Sequence, residues 1–245
     1  MLSAVFFEVK IMFYNYCGVV IADIDEYRPF LAACEQFKMT DKPLFGRAGC
    51  LIEVGALKVW AVCCGIGKVN AAAATAFLIA DGVQAVFNVG LSGGMSGIAR
   101  GQLSAPDRFY EHDFDLTPLG YQMGEKPQQA NTYFADKALL AALTEQCPAV
   151  KVGAAVTGDC FVCNDGLRRR LNERYAPVTC DMETAAIASV CADTAVPFLS
   201  VRKVSDDAGD SARESYTDMN LSQNGDTAAT LIALLVQLEQ QNSKG

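Results

Sequence analysis

Short apolar runs alternate along this chain with longer stretches of helical character, and this alternation constrains the fold more than any other feature. The clearest run, at residues 83–89, ends directly in a glycine-rich segment at 90–94, as is typical of a buried strand. The other candidate strands lie at residues 18–22, 50–54, 58–63, 150–156 and 198–204. The candidate helices lie at residues 23–34, 70–80, 136–145, 183–191 and 227–240.

Strands that alternate with helices predict an α/β protein with three layers, α/β/α, around a central twisted sheet. The sheet is predicted to be mixed, because Gly55-Ala56 separates two candidate strands at the distance of a hairpin. Neither a linker nor a repeat divides the sequence. We therefore predict a single domain over residues 1–245, in which residues 1–16 form an N-terminal extension or the lead-in to the first strand.

The charge of the chain disfavours a polyphosphate partner. Its 20 basic and 28 acidic residues give a net charge of −8, which repels a nucleic-acid backbone. The apolar start of the chain is interrupted by Glu8 and Lys10 and is not typical of a signal peptide, and no apolar run approaches the ~20 residues of a membrane span. We expect a cytoplasmic protein whose partners include neither nucleic acid nor membrane.

The ten cysteines have the character of small core residues, because several lie inside apolar runs. Cys160 and Cys163 form a C-x-x-C pair, but the sequence has no second such pair and His112 is its only histidine. A four-ligand zinc site would therefore need isolated cysteines. We predict no metal and no cofactor.

Two glycine segments follow strand candidates, and each has a structural and a functional interpretation. Residues 65–70 lack the Ser or Thr of a phosphate-binding P-loop and the third glycine of a dinucleotide site, which favours a tight turn from strand to helix. Residues 90–94 form either a plain bend or a loop whose main-chain N–H groups bind oxygens of a ligand.

Three further segments place carboxylates where chemistry could occur. Asp181 and Glu183 flank Met182 at the start of an apolar helix, where capping explains Asp181 but a buried Glu183 would need partners. The strand at 198–204 ends in polar residues that form either a structural ion pair or part of a site. The acids at 25–26 follow the first strand, where exposed acids at helix starts are common.

Taken together, these motifs resemble those of the purine nucleoside phosphorylase superfamily, and within it the 5′-methylthioadenosine/S-adenosylhomocysteine nucleosidases. They occur in the family's order and span residues 17–240, nearly the whole chain. Each motif is weak alone, whereas their joint occurrence is specific. The matching segments are residues 18–22 with Glu26, 65–69, 88–94, 113–121, 158–161, 181–185 and 202–206.

The resemblance implies hydrolysis of the N-glycosidic bond of a purine nucleoside, 5′-methylthioadenosine or S-adenosylhomocysteine, to free adenine and the thioribose. It implies that Glu26 is the general base for the attacking water, which Arg202 helps to position. Glu183 would bind the ribose hydroxyls, and Met182 would pack against the sugar. The general acid would be Asp206, which protonates N7 of the purine and is held neutral by burial while Glu26 stays ionised.

The same resemblance implies contacts to the base. Ser205 would assist the general acid, Phe161 would stack on the purine, and the main chain of Val162 would read its edge. Ser92 and Gly93 are candidate substrate contacts within the second glycine segment.

The family's pocket for the 5′ substituent is apolar and is completed by a neighbouring subunit. Ile66 and Tyr216 match its local wall, and Leu116, Leu119 and Pro127 match the residues offered across the subunit interface. The resemblance therefore implies a homodimer. It also implies that the ligand is a small-molecule purine nucleoside.

Water is favoured over phosphate as the nucleophile. Phosphorylases of this superfamily carry an arginine just before a Gly-Ser pair in the second glycine segment, where it can bind phosphate. In this chain the corresponding place reads Phe87-Asn88-Val89-Gly90-Leu91 and has neither the arginine nor the serine. Arg28 and Arg202 remain as cations that could bind phosphate.

The chain departs from the nucleosidase pattern at Leu91, Gln102 and Asp181, where the family usually has serine, an acidic residue and glutamate. The four residues of the implied mechanism are present. The alternatives are a nucleosidase for futalosine or aminodeoxyfutalosine, a purine or uridine phosphorylase, and a non-catalytic nucleoside-binding protein.

Overall fold

The strands that the structure describes belong to one mixed sheet of eleven strands. A computed structural model describes residues 13–218 and 225–243. The strands are β1 (Tyr16–Ile21), β2 (Lys38–Asp41), β3 (Gly49–Val54), β4 (Leu57–Cys63), β5 (Ala85–Gly94), β6 (Leu103–Ser104), β7 (Arg108–Glu111), β8 (Tyr133–Phe134), β9 (Ala154–Thr157), β10 (Thr179–Asp181) and β11 (Phe198–Asp206). The helices are α1 (Ile24–Ala33), α2 (Lys68–Ala80), α3 (Lys137–Gln146), α4 (Asp165–Tyr175), α5 (Thr184–Thr194), α6 (Ala212–Thr217) and α7 (Gly225–Asn242), with a 3₁₀ turn at Thr117–Leu119.

The centre of the sheet is parallel. Strand β1 runs parallel to β4 and to β5, and β11 also runs parallel to β5. Strands in such a position are covered on both faces, which explains why β1, β5 and β11 are buried along almost their whole length. Their carboxyl ends meet at the same edge of the sheet, where α/β proteins bind ligands.

The outer strands make the sheet mixed, as predicted. Strands β3 and β4 form an antiparallel hairpin, and β2 pairs antiparallel with β3. The turn of the hairpin contains Gly55 at a φ of +59°, a conformation that glycine adopts at no steric cost. The predicted hairpin at Gly55-Ala56 is therefore confirmed.

Helices cover both faces of the sheet. Helix α1 leads from β1 to β2, which lies on the same side of β1 as β4, and α2 leads from β4 to β5, in the opposite direction across the sheet. Because parallel crossovers are right-handed, α1 and α2 lie on opposite faces. Helix α5 packs on α2, whereas α3 and α7 pack with each other and α7 packs on α1. The three-layer α/β/α prediction is confirmed.

Strand β5 shows the main difference from the sequence prediction. The glycine-rich segment 90–94 was expected to be a bend or loop after the strand, but it is the second half of β5 itself. The physical reason is space, because a Cβ on Gly90 would lie 2.3 Å from Nη1 of Arg202. The glycines thus let a continuous strand pass directly against a buried guanidinium.

Two other strand boundaries differ. Strand β11 continues two residues beyond the predicted 204, and a bulge between Val204 and Asp206 shifts its register against β5. The strand predicted at 150–156 is regular only from Ala154, because the pairing with β7 begins there.

The core consists of apolar side chains from the sheet and the helices that cover it. Trp60, Phe30, Phe87 and Phe109 are among its largest buried members, and Arg202 is as deeply buried as they are. No helix within the described ranges is long and apolar enough to cross a bilayer. The single-domain assignment stays a prediction, and most of its proposed extension, at residues 1–12, lies outside the described residues.

Candidate active site

A cavity of about 290 Å³ opens at the edge where the parallel strands end. Its walls come from the residues after β1, the end of β5, the segment from β10 into α5, and the end of β11. It is lined by Ala22, Asp23, Glu26, Ile66, Leu91, Ser92, Gly93, Phe161, Cys180, Asp181, Met182, Glu183, Ser205, Asp206 and Tyr216. Ten of the fifteen candidate site residues are therefore brought together from seven separate parts of the sequence.

Arg202 lies behind this cavity and is fully buried. Its Nη2 is 3.2 Å from Oε2 of Glu183 and 3.4 Å from Oδ2 of Asp181. Its Nε and Nη1 atoms hydrogen-bond no group in the described part of the chain. Nη1 and the Glu26 carboxylate both lie within 3 Å of the position that a Cβ on Gly90 would occupy. The guanidinium thus faces the carboxylates of Asp181 and Glu183 and also the predicted base, Glu26.

Asp181 has the structural role that the sequence indicated. Its Oδ1 accepts hydrogen bonds from the N–H groups of Glu183 at 3.0 Å and Thr184 at 2.9 Å, at the start of α5. Burial raises the pKa of Asp181, but Arg202 and the hydrogen bonds from Thr184 outweigh burial and hold it below its usual value. Asp181 is therefore an ionised cap that also pairs with Arg202.

Glu183 has the partners that a buried carboxylate needs. Besides Arg202, its Oε1 accepts a hydrogen bond from the N–H of Gly67 at 2.9 Å. Gly67 has a φ of +98° and stands immediately before α2. Burial raises the pKa of Glu183, against the opposing effect of Arg202. The first glycine segment is the predicted tight turn, and it also holds a site carboxylate.

Glu26 differs from the exposed helix-start acid that its position in the sequence suggests. It lies in the first turn of α1, but its Oε1 accepts a hydrogen bond from the N–H of Leu91 at 2.6 Å. Its Oε2 is buried and has no hydrogen-bond partner among the described residues. Burial raises the pKa of Glu26 from 4.5 to about 7, although Arg202 and the Leu91 N–H oppose the shift. The expectation that Glu26 stays ionised near pH 7 is therefore met only in part.

Asp206 is the carboxyl group on the opposite side of the cavity. It is 2% exposed, and no Lys or Arg of the described chain forms an ion pair with it. Its Oδ1 accepts a hydrogen bond from the N–H of Ala208 at 2.8 Å. Burial raises the pKa of Asp206, and hydrogen bonds from Ser205 and Ala208 oppose the shift.

The hydroxyl of Ser205 connects Asp206 to the main chain. Its single proton has two acceptors within reach, Oδ2 of Asp206 at 2.7 Å and the main-chain oxygen of Ser92 at 3.2 Å. Both contacts are satisfied when Asp206 is protonated and donates to Ser205, which then donates to Ser92. The geometry therefore accommodates a neutral Asp206.

The apolar part of the cavity is formed by Phe161, Tyr216, Met182 and Ile66. The rings of Phe161 and Tyr216 meet edge to face with centroids 5.6 Å apart. Val162 lines a small adjoining cavity together with Phe161 and Asp206. This aromatic wall and the carboxyl group of Asp206 therefore line the same cavity.

Three candidate residues lie outside the cavity of their own chain. Leu116, Leu119 and Pro127 belong to the long segment between β7 and β8, and Leu119 is 72% exposed. Their predicted contact with a neighbouring subunit stays a prediction. Within the described ranges, no group of three or more His, Cys, Asp or Glu side chains could hold a metal ion.

Sequence reasoning did not select Asp23, Cys180 or Gly67 as site residues. Asp23 lines the cavity and caps α1, where its Oδ1 accepts a hydrogen bond from the N–H of Asp25 at 2.8 Å. A capping aspartate directly after a buried strand is a signal that could have found it. The contact between Gly67 and Glu183 joins residues 116 positions apart, and no local pattern indicates it.

Comparison with known proteins supports the resemblance noted in the sequence. The family model described as the phosphorylase superfamily matches residues 17–238. The 5′-methylthioadenosine/S-adenosylhomocysteine nucleosidase of Shewanella piezotolerans is 35% identical over 182 residues, which cover 71% of this chain and 79% of the relative. The crystal structure of the same-named nucleosidase from Neisseria meningitidis, in complex with methylthio-immucillin-A, has a TM-score of 0.83 and 27% identity and covers 91% of this chain and 99% of that chain.

A futalosine hydrolase of Helicobacter pylori has the same fold, with a TM-score of 0.86 at 23% identity over 91% of this chain and 98% of that chain. The fold alone therefore does not select between these two kinds of substrate, and the selection depends on the residues of the cavity.

Proposed function

Since the chain belongs to the phosphorylase superfamily, we propose that it is a purine nucleosidase that hydrolyses 5′-methylthioadenosine or S-adenosylhomocysteine. The products are free adenine and the thioribose. Relatives that are 32–36% identical to this chain over 182–192 residues carry the name of this activity.

One observation carries the proposal: Glu26 and Asp206 line the same cavity in different electrostatic environments. Glu26 lies close to Arg202, whereas Asp206 pairs with no cation of the described chain. Cleavage of the glycosidic bond needs a base for the water and an acid for the leaving purine. A binding protein would need neither group.

The reaction then divides between the two sides of the cavity. Adenine is a poor leaving group until N7 is protonated, so a neutral Asp206 donates its proton as the bond breaks. The sugar gains positive charge in the transition state, and the carboxylates of Glu183 and Glu26 stabilise this charge. Glu183 also accepts hydrogen bonds from the ribose hydroxyls, while Met182 packs against the ring.

Glu26 and Arg202 together define the position of the nucleophilic water. Oε2 of Glu26 and Nη1 of Arg202 are buried polar atoms, without partners in the described chain, on the same side of Gly90. A water between them donates to the carboxylate and accepts from the guanidinium, and so satisfies both groups. A carboxyl group with a pKa of about 7 is well matched to take a proton from this water at neutral pH.

The charge of the cavity favours water over phosphate. Five acidic side chains line it, at positions 23, 26, 181, 183 and 206, and no Lys or Arg of the described chain does so. Arg28, which the sequence left open as a phosphate ligand, is 72% exposed at its side chain and lies 3.6 Å from Asp25. Arg202 is already paired with two carboxylates. A phosphate dianion would therefore meet net negative charge.

The function is tested by incubating the purified protein with 5′-methylthioadenosine, S-adenosylhomocysteine, futalosine and inosine, each with and without phosphate. We expect adenine to be released from the first two at a rate that phosphate does not change. Release that requires phosphate would show a phosphorylase, and release from futalosine or inosine alone would show another nucleosidase. No release from any nucleoside would show a binding protein.

The proposal includes a homodimer in which the neighbouring subunit completes the pocket for the 5′ group. The local wall of this pocket is open, since Ile66 is 52% and Tyr216 is 37% exposed. Beside it α2 presents an apolar outer face with Val69 and Phe77, and Phe77 packs against Phe45 at 5.3 Å between ring centroids. Contiguous exposed apolar side chains of this kind mark interaction surfaces.

Light scattering on the purified protein tests the dimer, with Val69→Asp as the variant that places a charge on this face. We expect a dimer for the natural chain and a monomer with a raised KM for the variant. A monomeric natural chain with full activity would contradict this part of the proposal. A cytoplasmic location stays a prediction.

A further inference from the structure

We propose that Lys68 is a positioning residue for Glu183, because it joins the segment between β7 and β8 to the turn that holds this carboxylate. The inference rests on the proposed function, in which Glu183 binds the ribose hydroxyls. Lys68 itself does not line the cavity. Its role is to fix the place and orientation of a group that does.

Two main-chain hydrogen bonds hold the turn at Gly67-Lys68. The N–H of Gly67 donates to Oε1 of Glu183 at 2.9 Å, and the next N–H, that of Lys68, donates to Oδ1 of Asp159 at 2.8 Å. The same oxygen of Asp159 lies 3.0 Å from the position of a Cβ on Gly67. Asp159 thus holds the turn in the conformation that points the Gly67 N–H at Glu183.

The ammonium group of Lys68 closes a ring of contacts around this turn. Its Nζ lies 2.6 Å from Oδ1 of Asp113 and 3.2 Å from Oε2 of Glu111. Oδ2 of Asp113 accepts a hydrogen bond from the N–H of Asp159 at 2.8 Å. The path from Lys68 through Asp113 and Asp159 therefore returns to Lys68.

The ring also anchors the segment that carries the predicted contacts to the neighbouring subunit. Glu111 ends β7, and its Oε1 forms a second ion pair with Lys126. Lys126 in turn donates to the hydroxyl of Tyr133 at 3.2 Å, at the start of β8. Both ends of the segment at residues 112–132 are thus tied to Lys68, so its placement and that of Glu183 are linked.

Charge makes Lys68 the critical member of this network. The side chains of Lys68 and Glu111 are only 19% and 13% exposed, so solvent screens their interaction poorly. Lys68 faces the carboxylates of Glu111 and Asp113 and binds Asp159 through its main chain. Without its ammonium group Asp113 loses the one ion pair that it forms among the described residues, whereas Glu111 keeps Lys126. Asp113 is then free to move, and the hydrogen bond by which it holds Asp159 beside the turn is weakened.

The test compares two substrates of the natural protein and of Lys68→Met. One is 5′-methylthioadenosine, and the other is its 2′,3′-dideoxy analogue, which lacks both hydroxyls that Glu183 would bind. We expect kcat/KM for the first substrate to fall about 10- to 100-fold, because small displacements of a positioning group have effects of this size. For the dideoxy analogue we expect a change of about twofold or less, and Lys68→Arg should restore most of the activity on the full substrate.

Lys42→Met is the matched control. Lys42 also forms an ion pair, 2.8 Å from Asp81, but it contacts Tyr16 at the opposite end of β1 from the cavity. We expect this variant to match the natural protein on both substrates.

Three results would overturn the inference. Equal losses on both substrates would show that Lys68 has a general structural role, and unchanged kinetics would show that it has none in positioning. A natural protein that releases adenine from neither substrate would overturn the proposed function and this inference with it. If Lys68→Met does not fold, as judged by thermal unfolding, Asp113→Asn is tested by the same criterion.

Discussion

On one side of the cavity the carboxylates of Asp181, Glu183 and Glu26 lie close to Arg202, whereas on the other side Asp206 pairs with no cation of the described chain. We name these the Arg202 side and the Asp206 side. Both bury carboxyl groups at the ends of parallel strands. The neighbours decide what each group can do, since an adjacent guanidinium favours the ionised form and burial without one favours the neutral form.

The Arg202 side also shows that one cation does not act equally on three acids. Asp181 gains hydrogen bonds from Thr184 besides its ion pair, and its pKa is lowered. For Glu183 and Glu26 burial outweighs Arg202, and their pKa values are raised. The side therefore holds one permanent anion and two groups whose ionisation depends on pH.

The largest effect is expected from breaking the Asp206 side. Asp206→Asn keeps the size of the side chain but removes the acidic proton, so kcat should fall by about 10²- to 10⁴-fold. Adenine release under saturating 5′-methylthioadenosine measures this, and a binding assay should show that affinity for the nucleoside remains. An unchanged kcat would remove Asp206 from the acid role.

Breaking the Arg202 side should lower stability as well as activity. Arg202→Met leaves Asp181 and Glu183 buried without their cation, which should lower the free energy of unfolding at pH 7 by about 3–5 kcal/mol. Denaturant unfolding measures the loss. Lys42→Met serves as the control, because its ion pair is one-third exposed on each side chain and should contribute less than about 1 kcal/mol. Equal losses for both variants would contradict the difference in burial.

Glu26→Gln sharpens the comparison through pH. The pKa of Glu26 is raised from 4.5 to about 7 in the fold, so the folded chain holds this proton more tightly and stability falls as the pH rises between these values. A rise in pKa of this size corresponds to a loss of stability of at most about 3–4 kcal/mol.

The neutral glutamine removes this penalty while it can still accept from the Leu91 N–H. Thermal unfolding of Glu26→Gln should therefore show a more stable protein than the natural chain at pH 8 and an equally stable one at pH 4. The same variant should be inactive as a nucleosidase. A variant that is less stable at pH 8 would mean that Arg202 stabilises the Glu26 carboxylate more than burial destabilises it.

The smallest effect is expected at the aromatic wall of the Asp206 side. Phe161 is 44% exposed and would contribute only stacking on the base, so Phe161→Ala should raise KM by about 2- to 10-fold. Steady-state kinetics should show kcat within about twofold of the natural protein. A loss in kcat as large as that of Asp206→Asn would mean that Phe161 also orients the leaving group.

The sequence predicted most of the long elements of the fold because their signals are local, but it did not predict α4 or the short strands β2, β6, β7, β8 and β10. Apolar runs and helical patterns mark β1, α2 and α7 without reference to distant residues. The glycine-rich half of β5 was missed because its need for glycine comes from Arg202, more than 100 positions away. Strand propensity disfavours glycine, and only the tertiary contact explains it.

The site was predictable only as a set of motifs. Local reasoning describes Glu26 as an exposed acid at a helix start, and only the resemblance to a family gives it a role. The structure adds the physical cause, which is the approach of α1 to the Leu91 N–H and to Arg202. The partners of Glu183 and the network of Lys68 join distant segments, and no spacing in the sequence indicates them.

The most direct test of the account is the pH dependence of kcat/KM for 5′-methylthioadenosine in the natural protein. Because the pKa of Glu26 is about 7, the rate should rise by up to about tenfold per pH unit between pH 5 and 7 as this carboxyl group loses its proton. A rate that does not change between pH 5 and 7, or one that falls over this range, would contradict the assignment of Glu26 as the base.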